Sequence, residues 1–78
     1  MKYALIGCGR VSPNHLNAAK NNGFDIISVC DTDNGHIDIA FGVSTLTEEE
    51  AAGIHRYSDW CEMLDSEKPE LVEMAMKW

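Results

Sequence analysis

A chain of 78 residues carrying a formal charge of −7 is one small domain at most, too short for the two βαβ halves of a whole dinucleotide-binding fold. The charge sets it against nucleic acid and anionic membrane surfaces, and no apolar run approaches the ~20 residues of a transmembrane helix. Three cysteines without a C-x-x-C pair suit reduced, packed thiols in a cytoplasmic protein, and Met1-Lys2 leads into a strand rather than a signal peptide.

In chain order, Tyr3 to Ile6 or Gly7 is apolar throughout, as a strand buried on both faces of a parallel sheet should be. Gly7-Cys8-Gly9 follows as a turn whose glycines keep Cβ atoms out of the way where backbone and ligand approach each other. The spacing predicts a helix from Pro13 to about Asn22, with Ser12 as its cap, Pro13 at its first position and Gly23 as its left-handed end. Strand, glycine turn and helix start in that order offer free N–H groups to a pyrophosphate. A thiol at Cys8 near a helix start invites a reactive reading, but a small residue filling the turn is the expectation.

Asp25 to Cys30, β-branched and mostly apolar, reads as the second strand and completes a right-handed βαβ unit. Asp31 then lies just past that strand, 24 positions after Gly7, where the dinucleotide fingerprint wants an acid for the adenosine ribose hydroxyls. Asp-Thr-Asp-Asn-Gly is also turn chemistry, and the two roles are compatible. Asp31 and Asp33 would repel a 2′-phosphate and no Arg follows to receive one, so NAD is expected over NADP.

His36 to Val43 alternates with period two, yet a parallel sheet needs a crossover here, so a short helix from about Asn34 to Phe41 is expected. Thr47-Glu48-Glu49-Glu50 is a capping box opening one helical turn that stops at Gly53, and its glutamates read as solvated rather than as a metal cluster. Ile54 to Tyr57 is the third strand. Ser58 should cap the next helix, whose Trp60, Met63 and Leu64 fall at the spacing of one buried face. Leu71 to Met76 is the fourth strand, with Glu73 out of place in it because an unpaired carboxylate inside a sheet is costly. His15, His36 and His55 show no ligand spacing, and no metal site is expected. The fold class is α/β, a partial Rossmann fold with a parallel sheet of about four strands in the order 3-2-1-4, flanked by helices.

The chain resembles the start of a glucose-fructose oxidoreductase/inositol dehydrogenase/MocA (Gfo/Idh/MocA) protein. The resemblance rests on Tyr3 to Arg10, Ser12-Pro13-Asn14-His15, Val29-Cys30-Asp31, Arg56 to Asp59, Glu62-Met63-Leu64 and Lys68 to Val72. It implies an NAD(P)-binding Rossmann domain whose Gly7, Gly9, Arg10 and Val11 line the pyrophosphate and whose Asp31 holds the ribose. It further implies a parent enzyme that oxidises or reduces a sugar, nucleotide-sugar or cyclitol hydroxyl. The family's catalytic lysine lies in a Glu-Lys-Pro motif after the fifth strand and its acid–base histidine further on. Glu67-Lys68-Pro69 spells the same letters before the fourth strand, where no catalytic role is expected of Lys68.

Glu73 to Trp78 departs from the small-residue loop usual in the family. Residues 1–78 are therefore expected to be the N-terminal part of the dinucleotide-binding domain, truncated, frameshifted or excised, without the catalytic and substrate domain and inactive alone. The alternatives are a stand-alone nucleotide-binding module, dimerising through the exposed sheet edge, and a fragment of another Rossmann type such as a methyltransferase.

Overall fold

The structure, a computed structural model, describes residues 1–75. Its elements in order are β1 (Lys2–Ile6), α1 (Ser12–Asn21), β2 (Asp25–Cys30), α2 (Asn34–Val43), α3 (Glu48–Ala52), β3 (His55–Tyr57), α4 (Trp60–Glu67) and β4 (Leu71–Met74). The strands form one parallel sheet in the order β3-β2-β1-β4, as expected. The last expected strand residue, Met76, lies outside the described residues.

The central strand explains the two-layered packing. Its side chains alternate across the sheet, so Tyr3 and Leu5 join Leu16, Ala19, Val29, Ile37, Ala40 and Phe41 beneath α1 and α2. Ala4 and Ile6 meet Cys30 and Met63 beneath α4 on the other face. Residues Tyr3 to Ile6 are all buried, which is why the segment carries no polar alternation.

Helix α1 ends as its sequence dictates. Gly23 takes φ +74°, and the N–H groups of Gly23 and Phe24 close back onto Lys20 O and Ala19 O, a Schellman arrangement. Helix α2 runs two residues beyond the expected Phe41 and is capped by Asp33, whose carboxylate accepts from the Gly35 N–H. Helical spacing overrides the period-two pattern, turning Ile37, Ala40 and Phe41 inward and leaving Ile39 and Val43 exposed. Both arms of the capping box between Thr47 and Glu50 are present at α3.

Three expectations need correction. Ser12 does not cap α1 by accepting a backbone proton; it is the first helical residue, and its Oγ donates to Gly9 O at 2.6 Å, tying the glycine turn down from inside. Ser58 is not the cap of α4, because Asp59 takes that place and accepts from the Cys61 N–H at 2.9 Å. Trp60 does not share the buried face with Met63: Met63 is fully buried, whereas Trp60 is 53% exposed. As the first residue of α4, Trp60 borders the cleft at the carboxyl ends of the strands instead of entering the core.

Glu73 resolves its own anomaly. Its carboxylate accepts from the buried Tyr3 hydroxyl at 2.7 Å and meets His15 Nδ1 at 3.1 Å. β1 is the strand paired with β4, so the far side of Glu73 reaches solvent.

Candidate functional site

The carboxyl ends of the four strands enclose a cleft of about 660 Å³, a size suited to a small-molecule ligand. Ile6, Gly7 and Gly9 bound it at the end of β1, Asp31 and Thr32 at the end of β2, Ser58 after β3, Trp60 at the start of α4, and Met74 with Ala75 at the end of β4. A second hollow of about 400 Å³ sits at the amino ends, among Phe24, Leu46 and Glu50. Its lysine, Lys20, is already committed to Glu50 and to Thr45 O.

The glycine turn is built from both sides. Gly7 adopts φ +87°, which lets its N–H donate to Cys30 O at 2.7 Å and carries the chain out of the sheet. The Cys8 N–H then donates to Asp31 Oδ2 at 2.8 Å. The next three N–H groups, on Gly9, Arg10 and Val11, have no acceptor among the described residues. They stand at the positive end of α1, where an anion would find both donors and dipole. Arg10 and Val11 are exposed, and no side chain caps the helix in their place.

Asp31 ties this turn to the sheet. Besides Cys8, its other oxygen accepts from the Asp33 N–H at 2.9 Å, with His36 Nδ1 at 3.5 Å. Burial resists its ionisation and is the largest single influence, but the two backbone donors and His36 outweigh it and hold the carboxyl below its ordinary value. An ionised carboxylate offers about four lone-pair sites. The side chain is 12% exposed, so acceptor capacity remains on the cleft side for ribose hydroxyls.

Cys8 answers to the bland expectation. Burial first, then the nearby Asp31 charge, push its thiol up to about 12, the opposite of an activated nucleophile. Lys68 ends α4 in the left-handed region, with φ +47°, at the amino end of β4. It stands across the sheet from the glycine turn and lines none of the cleft.

The structure brings Gly7, Gly9 and Asp31 together on one cleft wall and places Arg10 and Val11 at its helix start. Sequence reasoning missed Trp60 and Met74 there. The signal available for Trp60 was its position directly after a cap, since a first-turn side chain at the carboxyl end of a sheet borders the mouth rather than the core.

The two glycines predict separable variants. An alanine at Gly7 must hold a left-handed φ, costing roughly 1–2 kcal/mol of stability. A Cβ at Gly9 would come no closer than 3.8 Å to Ala75 O, so Gly9→Ala leaves the thermal transition nearly unchanged while intruding on a ligand phosphate. Thermal unfolding beside NAD titration checks both. Equal stability loss in the two variants would remove the distinction.

The model for an oxidoreductase family with an NAD-binding Rossmann fold, Gfo/Idh/MocA, matches residues 1–77. The chain is 38% identical over 76 residues to a D-apiose dehydrogenase of Paraburkholderia graminis, covering 95% of this chain and 18% of that enzyme. Among solved structures it resembles the WlbA dehydrogenase from Bordetella pertussis in complex with NADH and UDP-GlcNAcA, with TM-score 0.76 and 26% identity over 97% of this chain and 22% of that one. An oxidoreductase from Agrobacterium radiobacter in complex with NAD+, L-tartaric acid and magnesium is similar at TM-score 0.77 and 26% identity, covering 99% and 21%. This chain thus spans about a fifth of the length of the proteins it matches.

Proposed function

The chain belongs to the Gfo/Idh/MocA oxidoreductase family, and from that premise we propose that it holds the adenosine-diphosphate half of NAD as the amino-terminal part of the family's NAD-binding domain. The observation that carries this reading is the run of three N–H groups at Gly9, Arg10 and Val11 without an acceptor among the described residues, set beside an ionised Asp31 at the same sheet end. The N–H groups and the α1 dipole receive the pyrophosphate; Asp31 accepts from the adenosine ribose. NAD is the cofactor rather than NADP, because Asp31 and Asp33, with His36 beside both, together meet a 2′-phosphate with negative charge.

In the parent enzyme the nicotinamide accepts or donates a hydride at a sugar, nucleotide-sugar or cyclitol hydroxyl. Such a sugar substrate accords with the UDP-GlcNAcA bound to WlbA and with the D-apiose dehydrogenase relative. This chain supplies binding and orientation only: Lys68 is remote from the cleft, and Cys8 is protonated and buried. No helix among the described residues is long and apolar enough to cross a membrane, and we place the protein in the cytoplasm. The family match leaves the methyltransferase reading without support.

Calorimetric titration of the chain tests the proposal. NAD and ADP-ribose should bind with similar affinity, since the contacts lie on their shared half, and NADP about tenfold or more weakly. Folded protein that binds neither NAD nor ADP-ribose overturns the assignment, and equal affinity for NADP overturns the cofactor preference. A second reading, pairing of two copies, draws on β4, which forms one edge of the described sheet and exposes Met74. Light scattering behind size exclusion decides it: a concentration-independent monomer removes the dimer.

A further inference from the structure

We propose that Trp60 is the platform on which the adenine ring of the dinucleotide stacks. This rests on the cofactor reading above and extends it to a residue whose spacing suggests core packing instead. Trp60 lines the same cleft as Gly7, Gly9 and Asp31, and it is 53% exposed there despite being among the costliest side chains to leave in water.

The strand order gives the direction in which the base must lie. Neighbouring strands are ~4.8 Å apart, so the loops at their carboxyl ends form a row of stations across the cleft mouth. The free N–H groups follow β1, Asp31 follows β2, and Trp60 follows β3, which is the next strand outward. Phosphate, ribose and base follow one another in the nucleotide at a comparable spacing. With the pyrophosphate at β1 and the ribose at β2, the base arrives over the β3 station. The opposite direction leads to Met74 and Ala75 after β4, the side left for the rest of the dinucleotide.

An exposed indole supplies the apolar face a purine needs without reading its edge. Asp59, which caps α4 through the Cys61 N–H, fixes the backbone from which the indole projects. Trp60 belongs to neither buried core cluster, so binding and stability separate.

The test uses the 78-residue chain with ADP-ribose as the probe, read by calorimetry and by tryptophan emission. Trp60→Ala should weaken ADP-ribose binding about tenfold and Trp60→Phe less than about threefold, because phenylalanine keeps a π-face. In the wild type, ADP-ribose should quench the emission, and in Trp60→Phe, which retains Trp78, the quenching should disappear. The phenylalanine variant supplies that arm whether or not the alanine variant folds. Unchanged affinity in Trp60→Ala, while Asp31→Ala still weakens binding, overturns the stacking role and leaves the cofactor reading standing. Absence of wild-type binding overturns both.

Discussion

Replacing Asp31 by alanine should weaken NAD binding at least about a hundredfold and also destabilise the fold. The binding loss follows from two hydrogen bonds between a charged carboxylate and ribose hydroxyls, each worth roughly 1.5–3 kcal/mol, at about 1.4 kcal/mol per factor of ten. The stability loss has a separate cause. Asp31 accepts the Cys8 and Asp33 N–H groups, and Cys8 is 3% exposed, so its N–H would lose its acceptor where water hardly reaches. An orphaned buried donor costs about 1–3 kcal/mol.

The pH dependence has a definite sign. The folded Asp31 carboxyl titrates below its ordinary value, so it contributes stability above the unfolded carboxyl pKa of about 3.9 and loses it as pH falls through the lower folded value. Wild type and Asp31→Ala should therefore differ at neutral pH and converge in acid. Denaturant melts at neutral and acid pH, paired with NAD calorimetry, check the two effects independently. A variant that binds NAD like the wild type would remove Asp31 from the site; one with an unchanged midpoint at neutral pH would remove it from the turn.

Glu73→Leu should lower stability by about 2 kcal/mol, or roughly 8–16 °C in Tm for a domain of this size. The reason is asymmetry between the partners. Tyr3 is fully buried and stacks on Phe24 at 6.1 Å, so its hydroxyl cannot turn to water when Glu73 is gone. The Glu73 side chain is 38% exposed and keeps His15, so it tolerates loss of the tyrosine hydroxyl. Tyr3→Phe alone should cost under about 1 kcal/mol, and the double variant less than the sum of the two, because Phe at position 3 leaves no orphan for Leu at position 73 to expose. Burial, followed by the Glu73 hydrogen bond, raises the Tyr3 hydroxyl pKa, so the tyrosine is the donor of the pair. A double-mutant cycle by chemical denaturation settles the matter, and strict additivity would mean that Tyr3 and Glu73 do not act together.

The strands, their burial on both faces and most helix ends follow from local chemistry. An unbroken apolar run must be buried on both faces, glycine after Asn21-Asn22 must end a helix, and Thr47 with Glu50 must cap one, whatever surrounds them. The same holds for the part of the site carried by spacing, Gly7, Gly9 and Asp31, because turn geometry and the distance to the next strand end are properties of the chain itself. Where several residues could serve, tertiary structure made the choice. Ser12 and Ser58 both have capping chemistry, yet one closes onto Gly9 O and the other gives way to Asp59, since a cap depends on the entry angle of the chain.

Glu73 and Trp60 show the limit most clearly. A carboxylate in a strand looks costly until β1 and α1 bring Tyr3 and His15 to it from 70 and 58 residues away in sequence. A tryptophan at helical spacing looks buried until the fold sets it at the cleft mouth, half exposed. Periodicity reports which face of an element turns inward, but not whether another element is there to cover it; that depends on where the strands end, which only the assembled sheet decides.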